Sequence, residues 1–130
     1  MTPAVQDKWG RAKDSLRAAR HLLTVSPDSA ASRAYYAAFH AVSALFLHEG
    51  TQFKKHTGVE TAVHRDLVKS GRWASALGKA FNKLRTYRTI SDYSSSVHVS
   101  PQEAQLAVEL AEAVLTAVAK EYPDLFLLKD

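Results

Sequence analysis

Residues 31–48 read ASRAYYAAFHAVSALFLH, and Arg33 is the only formally charged side chain among them. A helix that is apolar on every side must be buried by more than one neighbour. We therefore predict a helix over 29–49, with one side facing the core of the domain and another facing a partner subunit. Gly50 follows directly and is typical of a residue at which a helix ends.

Further helices are predicted at the two ends of the chain. Near the start, apolar residues recur at alternating spacings of four and three, namely Val5, Trp9, Ala12, Leu16, Ala19 and Leu23. This period predicts a helix over 3–24, with Thr2 as its N-cap. Near the end, Ser100 and Glu103 have the spacing of a capping box, which predicts a helix over 100–122.

Two more helices are predicted in the middle of the chain. Thr57 and Glu60 also have the spacing of a capping box, which predicts a helix over 57–70 and leaves His56 outside it. The next helix, over 73–93, is predicted from apolar residues spaced four, four and three apart, namely Trp73, Leu77, Phe81 and Leu84. Helices joined by short loops predict an all-α, up-and-down bundle of four to five helices.

The composition agrees with one α-helical domain over 1–130. Hydrophobic residues make up 46% and charged residues 23% of the chain, as in ordinary globular proteins. The absence of cysteine excludes disulfides, thiolate zinc sites and a cysteine nucleophile. No apolar run approaches the roughly 20 residues that span a bilayer, and no signal-peptide core follows Met1. We therefore expect a cytoplasmic protein that does not insert into membranes.

Charge is distributed unevenly along the chain. Residues 66–100 carry six Lys and Arg against two Asp and Glu, whereas residues 101–130 carry two against six. A basic body can bind a polyanion, but charges of both signs also solvate helix surfaces. Because the net charge is only +4, we favour the second interpretation unless basic side chains are found together.

Arg88 is the residue that points most directly to function. On an ideal helix it falls within about 40° of Leu77, Phe81 and Leu84, so it continues an apolar stripe. A buried guanidinium needs a partner, and Asp92 lies one helical turn further on. The pair is either structural or presents an arginine fork to a phosphate. The spacing alone favours the structural pair, and breaking a buried pair costs about 3–5 kcal/mol.

The histidines do not suggest a metal site. His56, Glu60 and His64 recur at every fourth position, but the capping box leaves the first of them outside the helix. Zinc usually takes three or four ligands. We therefore expect no metal, and no cofactor motif is recognisable. Tyr35 and Tyr36 lie in the middle of an apolar helix and are interpreted as packing residues.

Four stretches, in order, resemble the small bacterial and archaeal HEPN-domain proteins. They are Ala31–Ala41 (ASRAYYAAFHA), Lys55–Val59 (KHTGV), Leu67–Gly71 (LVKSG) and Leu84–Tyr93 (LRTYRTISDY). The specific feature is the combination of the first stretch with the R-x3-DY pattern of the last. The resemblance covers roughly residues 5–120 and implies a four- or five-helix bundle that forms homodimers.

The chemistry that the resemblance implies depends on Arg88. Many HEPN proteins are encoded beside a minimal nucleotidyltransferase as toxin–antitoxin pairs. Many active members are metal-independent RNases with an Arg-x4-6-His motif, at which two subunits meet. Arg88 matches the arginine, but Tyr93 stands where a histidine is expected, and the next histidine is His98. A phenol, with an ordinary pKa of about 10, is a poor base, and Tyr93 lies about 140° around an ideal helix from Arg88.

Three functions remain open. The first is a HEPN-type homodimer that acts as a nucleotide- or RNA-binding partner module of a minimal nucleotidyltransferase. Its ligand site would comprise Arg85, Arg88, Asp92, Tyr93 and His56. The second is a metal-independent RNase toxin in which Arg88 clamps the phosphate and His98, His56 or Tyr93 is the acid–base group. The third is a purely structural dimer. The missing motif histidine favours the first function, so we expect no strong RNase activity from the isolated protein.

Overall fold

The computed structural model describes residues 1–129 and consists of helices joined by short connections. The α-helices are α1 (Pro3–Leu22), α2 (Pro27–His48), α3 (His56–Ala62), α4 (Ser75–Tyr93) and α5 (Pro101–Glu121). A π-helical segment, Val63–Val68, continues α3. No strand occurs within the described residues, so the predicted all-α bundle is confirmed.

α2 is the central helix and packs against α1, α4 and α5. Its small side chains let three neighbours approach closely. The buried alanines of this helix are Ala30, Ala31, Ala34, Ala37, Ala38, Ala41 and Ala44. The apolar surface that predicted a partner subunit is therefore largely covered within the chain. One part of α2 still reaches the surface, since Tyr36, Phe39, His40 and Leu47 are only partly buried, and the partner subunit stays a prediction.

Three helices begin with side-chain caps. The Thr2 hydroxyl accepts a hydrogen bond from a backbone N–H in the first turn of α1, as predicted. Ser100 and Glu103 form the predicted reciprocal capping box at the start of α5. α2 begins at Pro27, two residues before the predicted start, because the Ser26 hydroxyl caps its first turn.

The predicted cap at Thr57 is wrong. α3 begins one residue earlier, at His56, and Lys55 occupies the N-cap position without a side-chain hydrogen bond. The His56 ring stacks on Phe39 of α2 with ring centroids 4.0 Å apart. This stacking places His56 against α2 and accompanies the earlier start of α3.

A polar network closes the end of the bundle where α4 begins. α4 starts at Ser75, and the preceding Trp73 is buried with its Nε1 donating to Glu121 at 3.1 Å. Arg72 donates to both carboxylate oxygens of Glu49, at 3.1 and 2.9 Å, and its Nη2 is 3.2 Å from Glu121. These contacts tie the start of α4 to the ends of α2 and α5.

Candidate functional site

Arg88 lies in the second half of α4, and its side chain is 20% exposed. Its Nη2 donates a hydrogen bond to the Tyr36 hydroxyl of α2 at 3.0 Å. Its Nε is 3.0 Å from Oδ2 of Asp92, so the ion pair predicted from the spacing is present. The Nε–H is not aligned with that oxygen, and Nε makes no hydrogen bond. Charge, rather than a directed bond, therefore holds the pair together.

Three tyrosine rings surround the Arg88 guanidinium. Its central carbon lies 5.5 Å from the ring centroid of Tyr35, 5.6 Å from that of Tyr36 and 5.0 Å from that of Tyr93. All three distances are within the range of a cation–π attraction. Tyr93 is the last residue of α4 and is 69% exposed. The two side chains therefore meet, although on an ideal helix they point about 140° apart. Tyr93 ends the helix, so no further turn of α4 lies between its ring and Arg88.

A second arginine, Arg33 of α2, approaches the ring of Tyr36. The central carbon of Arg33 lies 4.7 Å from the ring centroid of Tyr36, so two guanidinium groups border one ring. A cavity of about 280 Å³ whose lining residues are mostly polar opens beside them; it is lined by Leu22, Asp28, Ser29, Ser32, Arg33, Ser91 and Asp92. Two larger cavities, of about 600 and 640 Å³, contain none of the predicted site residues. Room for a polar ligand therefore exists next to the Arg88–Asp92 pair.

His56 joins this cluster from the start of α3. Its ring centroid is 5.8 Å from that of Tyr36, and its Nδ1 is 3.4 Å from the Tyr35 hydroxyl oxygen. Burial and the nearby charge of Arg88 lower the pKa of His56 below its ordinary value, while Glu60 partly opposes them. The imidazole is therefore neutral at pH 7, and it is the histidine that the fold brings to Arg88.

Tyr35 links His56 to a carboxylate. Its hydroxyl donates a hydrogen bond to Oε2 of Glu60 at 3.0 Å. Burial and the adjacent Glu60 raise the pKa of Tyr35 well above its ordinary value, so the hydroxyl stays protonated. Sequence reasoning did not assign Tyr35 or Glu60 to the site. The available signal was a phenol in an otherwise apolar helix, since a buried tyrosine hydroxyl usually needs a hydrogen-bond partner.

The remaining flank of the site is formed where α3 and its π-helical continuation pack against α4. His64 Nε2 lies 2.9 Å from Oδ1 of Asn82, while His56 lies near Arg88, so the two segments run in opposite directions. On α4, Arg85 falls between these two contacts on the same flank. It is exposed, and within the described residues it makes no ion pair.

His98 is bound to a residue of the cavity that Arg33 and Asp92 line. Its Nδ1 lies 2.7 Å from Oδ2 of Asp28 at the start of α2, and the backbone N–H of Val99 donates to the other carboxylate oxygen at 2.8 Å. Burial alone would raise the pKa of Asp28, but these two hydrogen bonds outweigh burial and lower it. Within residues 1–129, His98 makes no hydrogen bond or ion pair with Arg88. Its partner Asp28, however, lines the cavity beside Asp92, so this candidate base stays next to the site.

No metal centre is built into the part of the chain that the structure describes, because no three His, Asp or Glu side chains converge there. In the same residues, no helix has both the length and the apolarity to cross a membrane. The chemistry available at the cluster is that of a guanidinium, phenols, carboxylates and a neutral imidazole.

A bundle of helices is the architecture that the sequence resemblance implied. The chain belongs to the HEPN domain family, whose model matches residues 5–122. A UPF0332 protein of Thermotoga maritima is 38% identical over 88% of this chain and 88% of its own length. The "Putative toxin MJ0142" of Methanocaldococcus jannaschii is 29% identical over 85% of this chain and 76% of its own. The crystal structure of TT1696 from Thermus thermophilus has the same fold, with a TM-score of 0.80 at 23% identity over 92% of this chain and 99% of that one.

Proposed function

We propose that this HEPN-domain protein binds RNA or a nucleotide through a phosphate at Arg88, as a homodimeric, toxin-like partner of a minimal nucleotidyltransferase. The observation that carries the proposal is the incomplete use of the Arg88 guanidinium. Within residues 1–129, Nη1 has no hydrogen-bond partner, Nε faces Asp92 without a hydrogen bond, and Nη2 donates to Tyr36. A guanidinium that aromatic rings hold in place, and whose remaining N–H donors have no protein acceptor, is suited to bind a phosphate.

The electrostatic surroundings support an anionic ligand. Arg33 borders the Tyr36 ring, and the ring centroid of His40 is 6.2 Å from the same ring. Burial lowers the pKa of His40 to about 4, and the charges of Arg11 and Lys8 on α1 act in the same direction. Basic side chains from two helices therefore lie together on this side of α2. Because these basic side chains are found together, we interpret them as a surface that binds a polyanion and not only as charges that solvate a helix.

The proposed assembly has two supports. The family resemblance implies homodimers in which the motif arginines of two subunits face one cleft, and Tyr93 next to Arg88 exposes a large aromatic surface that a second subunit can cover. The relative from Methanocaldococcus jannaschii, named as a toxin, supports the toxin-like role. A nucleotidyltransferase partner follows from the resemblance alone, and co-expression with such a protein followed by affinity purification tests it.

Titration of a labelled oligoribonucleotide tests the binding site. Arg88→Gln removes the charge and the fork, and loss of a charged hydrogen bond of about 1.5–3 kcal/mol predicts an affinity about 10- to 100-fold weaker. Arg20→Gln is the matched control, because Arg20 makes an exposed ion pair with Glu112 outside the cluster, at 3.2 Å. If both substitutions weakened binding equally, the loss of affinity would come from the change in net charge and not from a site at Arg88. Unchanged affinity in Arg88→Gln would make the Arg88–Asp92 pair purely structural.

The position of His56 favours a second candidate function, metal-independent RNA cleavage. A neutral imidazole near Arg88 has the chemistry of a general base for the ribose 2′-hydroxyl, while the guanidinium stabilises charge on the phosphorus. Incubation with RNA in EDTA separates the two functions. Cleavage that is lost in both Arg88→Ala and His56→Ala supports the RNase. Binding without cleavage supports the non-catalytic module.

A further inference from the structure

Glu60, Tyr35 and His56 form a hydrogen-bonded series, and its geometry assigns the position of each proton. The single hydroxyl proton of Tyr35 has two acceptors in reach, Oε2 of Glu60 at 3.0 Å and Nδ1 of His56 at 3.4 Å. The carboxylate is closer and is the stronger acceptor, so the proton points to Glu60. The phenol oxygen then presents a lone pair to the imidazole, and Nδ1 must carry the proton that it donates to Tyr35.

This assignment fixes the chemistry of the other ring nitrogen. A neutral imidazole carries one proton, so a protonated Nδ1 leaves Nε2 of His56 bare. Within the described residues, Nε2 has no hydrogen-bond partner, and the ring is half-buried. Phe39 stacks on the ring at 4.0 Å and limits its rotation. The cluster therefore holds an oriented hydrogen-bond acceptor that no residue among 1–129 satisfies.

We propose that Glu60 and Tyr35 are positioning residues that hold His56 with a bare Nε2, which accepts a hydrogen bond from the ribose 2′-hydroxyl of a ribonucleotide bound at Arg88. This inference rests on the proposed function. The Arg88 central carbon and the His56 ring centroid lie 5.6 and 5.8 Å from the centroid of the Tyr36 ring, so the guanidinium and the acceptor are both neighbours of one phenol. The 2′-hydroxyl is a donor next to the phosphate, and DNA lacks it.

The acceptor exists only while His56 is neutral. The titratable and charged groups that face it are Tyr35, Tyr36 and His40 from α2, Glu60 from α3 and Arg88 from α4. Burial and the charge of Arg88 lower the pKa of His56, and Glu60 opposes them only in part. Ribose recognition therefore persists at neutral pH. It disappears as the pH falls below this lowered value, when Nε2 becomes a donor.

Nitrogen-15 NMR of the His56 ring reads the tautomer directly. In the wild type we expect the Nδ1–H form to dominate. Tyr35→Phe keeps the ring and removes the hydroxyl, so it should move the population toward Nε2–H. Glu60→Ala should do the same, whereas Glu60→Gln, which keeps an acceptor oxygen, should retain most of the wild-type tautomer. A wild-type ring dominated by Nε2–H would overturn the proposal.

Binding of three oligonucleotides of one sequence tests the consequence. We expect the wild type to bind RNA about fivefold more tightly than DNA or 2′-O-methyl RNA, the effect of one hydrogen bond. Tyr35→Phe should make the three affinities equal, provided that its melting curve shows a folded protein. Equal wild-type affinities, all weakened by Arg88→Gln, overturn this inference and leave the proposed function standing. Affinities that do not depend on Arg88 overturn the proposed function itself.

Discussion

Replacing Asp92 with asparagine tests how strongly charge holds the end of α4. The substitution keeps the shape of the side chain and removes the negative charge 3.0 Å from Nε of Arg88. At an effective dielectric constant of about 20, two charges about 4 Å apart attract by about 4 kcal/mol. The two side chains are 20% and 28% exposed, so water screens part of this attraction.

The guanidinium also keeps other contacts in the variant. Its hydrogen bond to Tyr36 and its three ring contacts remain. Breaking a fully buried pair costs about 3–5 kcal/mol, and an exposed pair contributes about 0–1 kcal/mol. We therefore expect Asp92→Asn to lower the free energy of unfolding by about 1–2 kcal/mol. This is less than the sequence spacing alone predicts, because the pair is only partly buried.

Urea unfolding at pH 7, followed by circular dichroism, measures the change. The matched control is Asp7→Asn, which removes the partner of Arg11 at the same spacing of four residues and at 2.9 Å, but with both side chains 64% exposed. We expect the control to stay within about 0.5 kcal/mol of the wild type. A wild-type unfolding curve for Asp92→Asn would mean that the Arg88 charge is solvated, and the burial argument would be wrong.

Three further outcomes are expected. Burial raises the pKa of Glu49, but hydrogen bonds from Arg72 and Tyr122 outweigh it and lower the pKa below 4.5. Glu49→Gln should therefore destabilise the protein at pH 7, and the difference should vanish in acid as the wild-type carboxylate protonates. Glu109→Gln is the exposed control, and a Glu49→Gln effect independent of pH would contradict the assignment. Sedimentation at micromolar concentration should give twice the 14.3 kDa chain mass, and a monomer would contradict the dimer. Wild-type protein should cleave RNA weakly or not at all in EDTA, and Tyr93→His should raise cleavage because it sets an imidazole against the guanidinium. Strong wild-type cleavage would favour the RNase instead.

The fold was predictable because its determinants are local and periodic. Apolar spacing identified the helices, and the capping box at Ser100 fixed the start of α5. The same signal failed at Thr57, where the contact of His56 with a residue of another helix decides the start of α3. How much of the apolar surface of α2 the other helices cover was likewise not predictable from its own residues. The number of neighbours that cover a helix is a property of the whole bundle, which spacing along one segment does not contain.

The candidate site was predictable only where its parts lie on one helix. Arg88 and Asp92 are four residues apart on α4, so their contact follows from helical geometry. Tyr35 and His56 reach the guanidinium from two other helices, and no spacing relates them to it. His98 is nearer along the chain, yet the loop after α4 carries it to the start of α2. Which of the two histidines acts at the site therefore stays a prediction, because the fold places each of them beside a different part of it.

The side-chain Nε–H signal of Arg88 gives the most direct test of phosphate binding at this residue. The signal is assigned by its absence from the nitrogen-15 spectrum of Arg88→Lys, and Arg20 supplies an internal reference outside the cluster. We predict that titration with a short oligoribonucleotide shifts the Arg88 signal progressively to saturation and leaves the Arg20 signal in place. An Arg88 signal that stays fixed while the oligonucleotide binds and other arginine signals move would contradict the account.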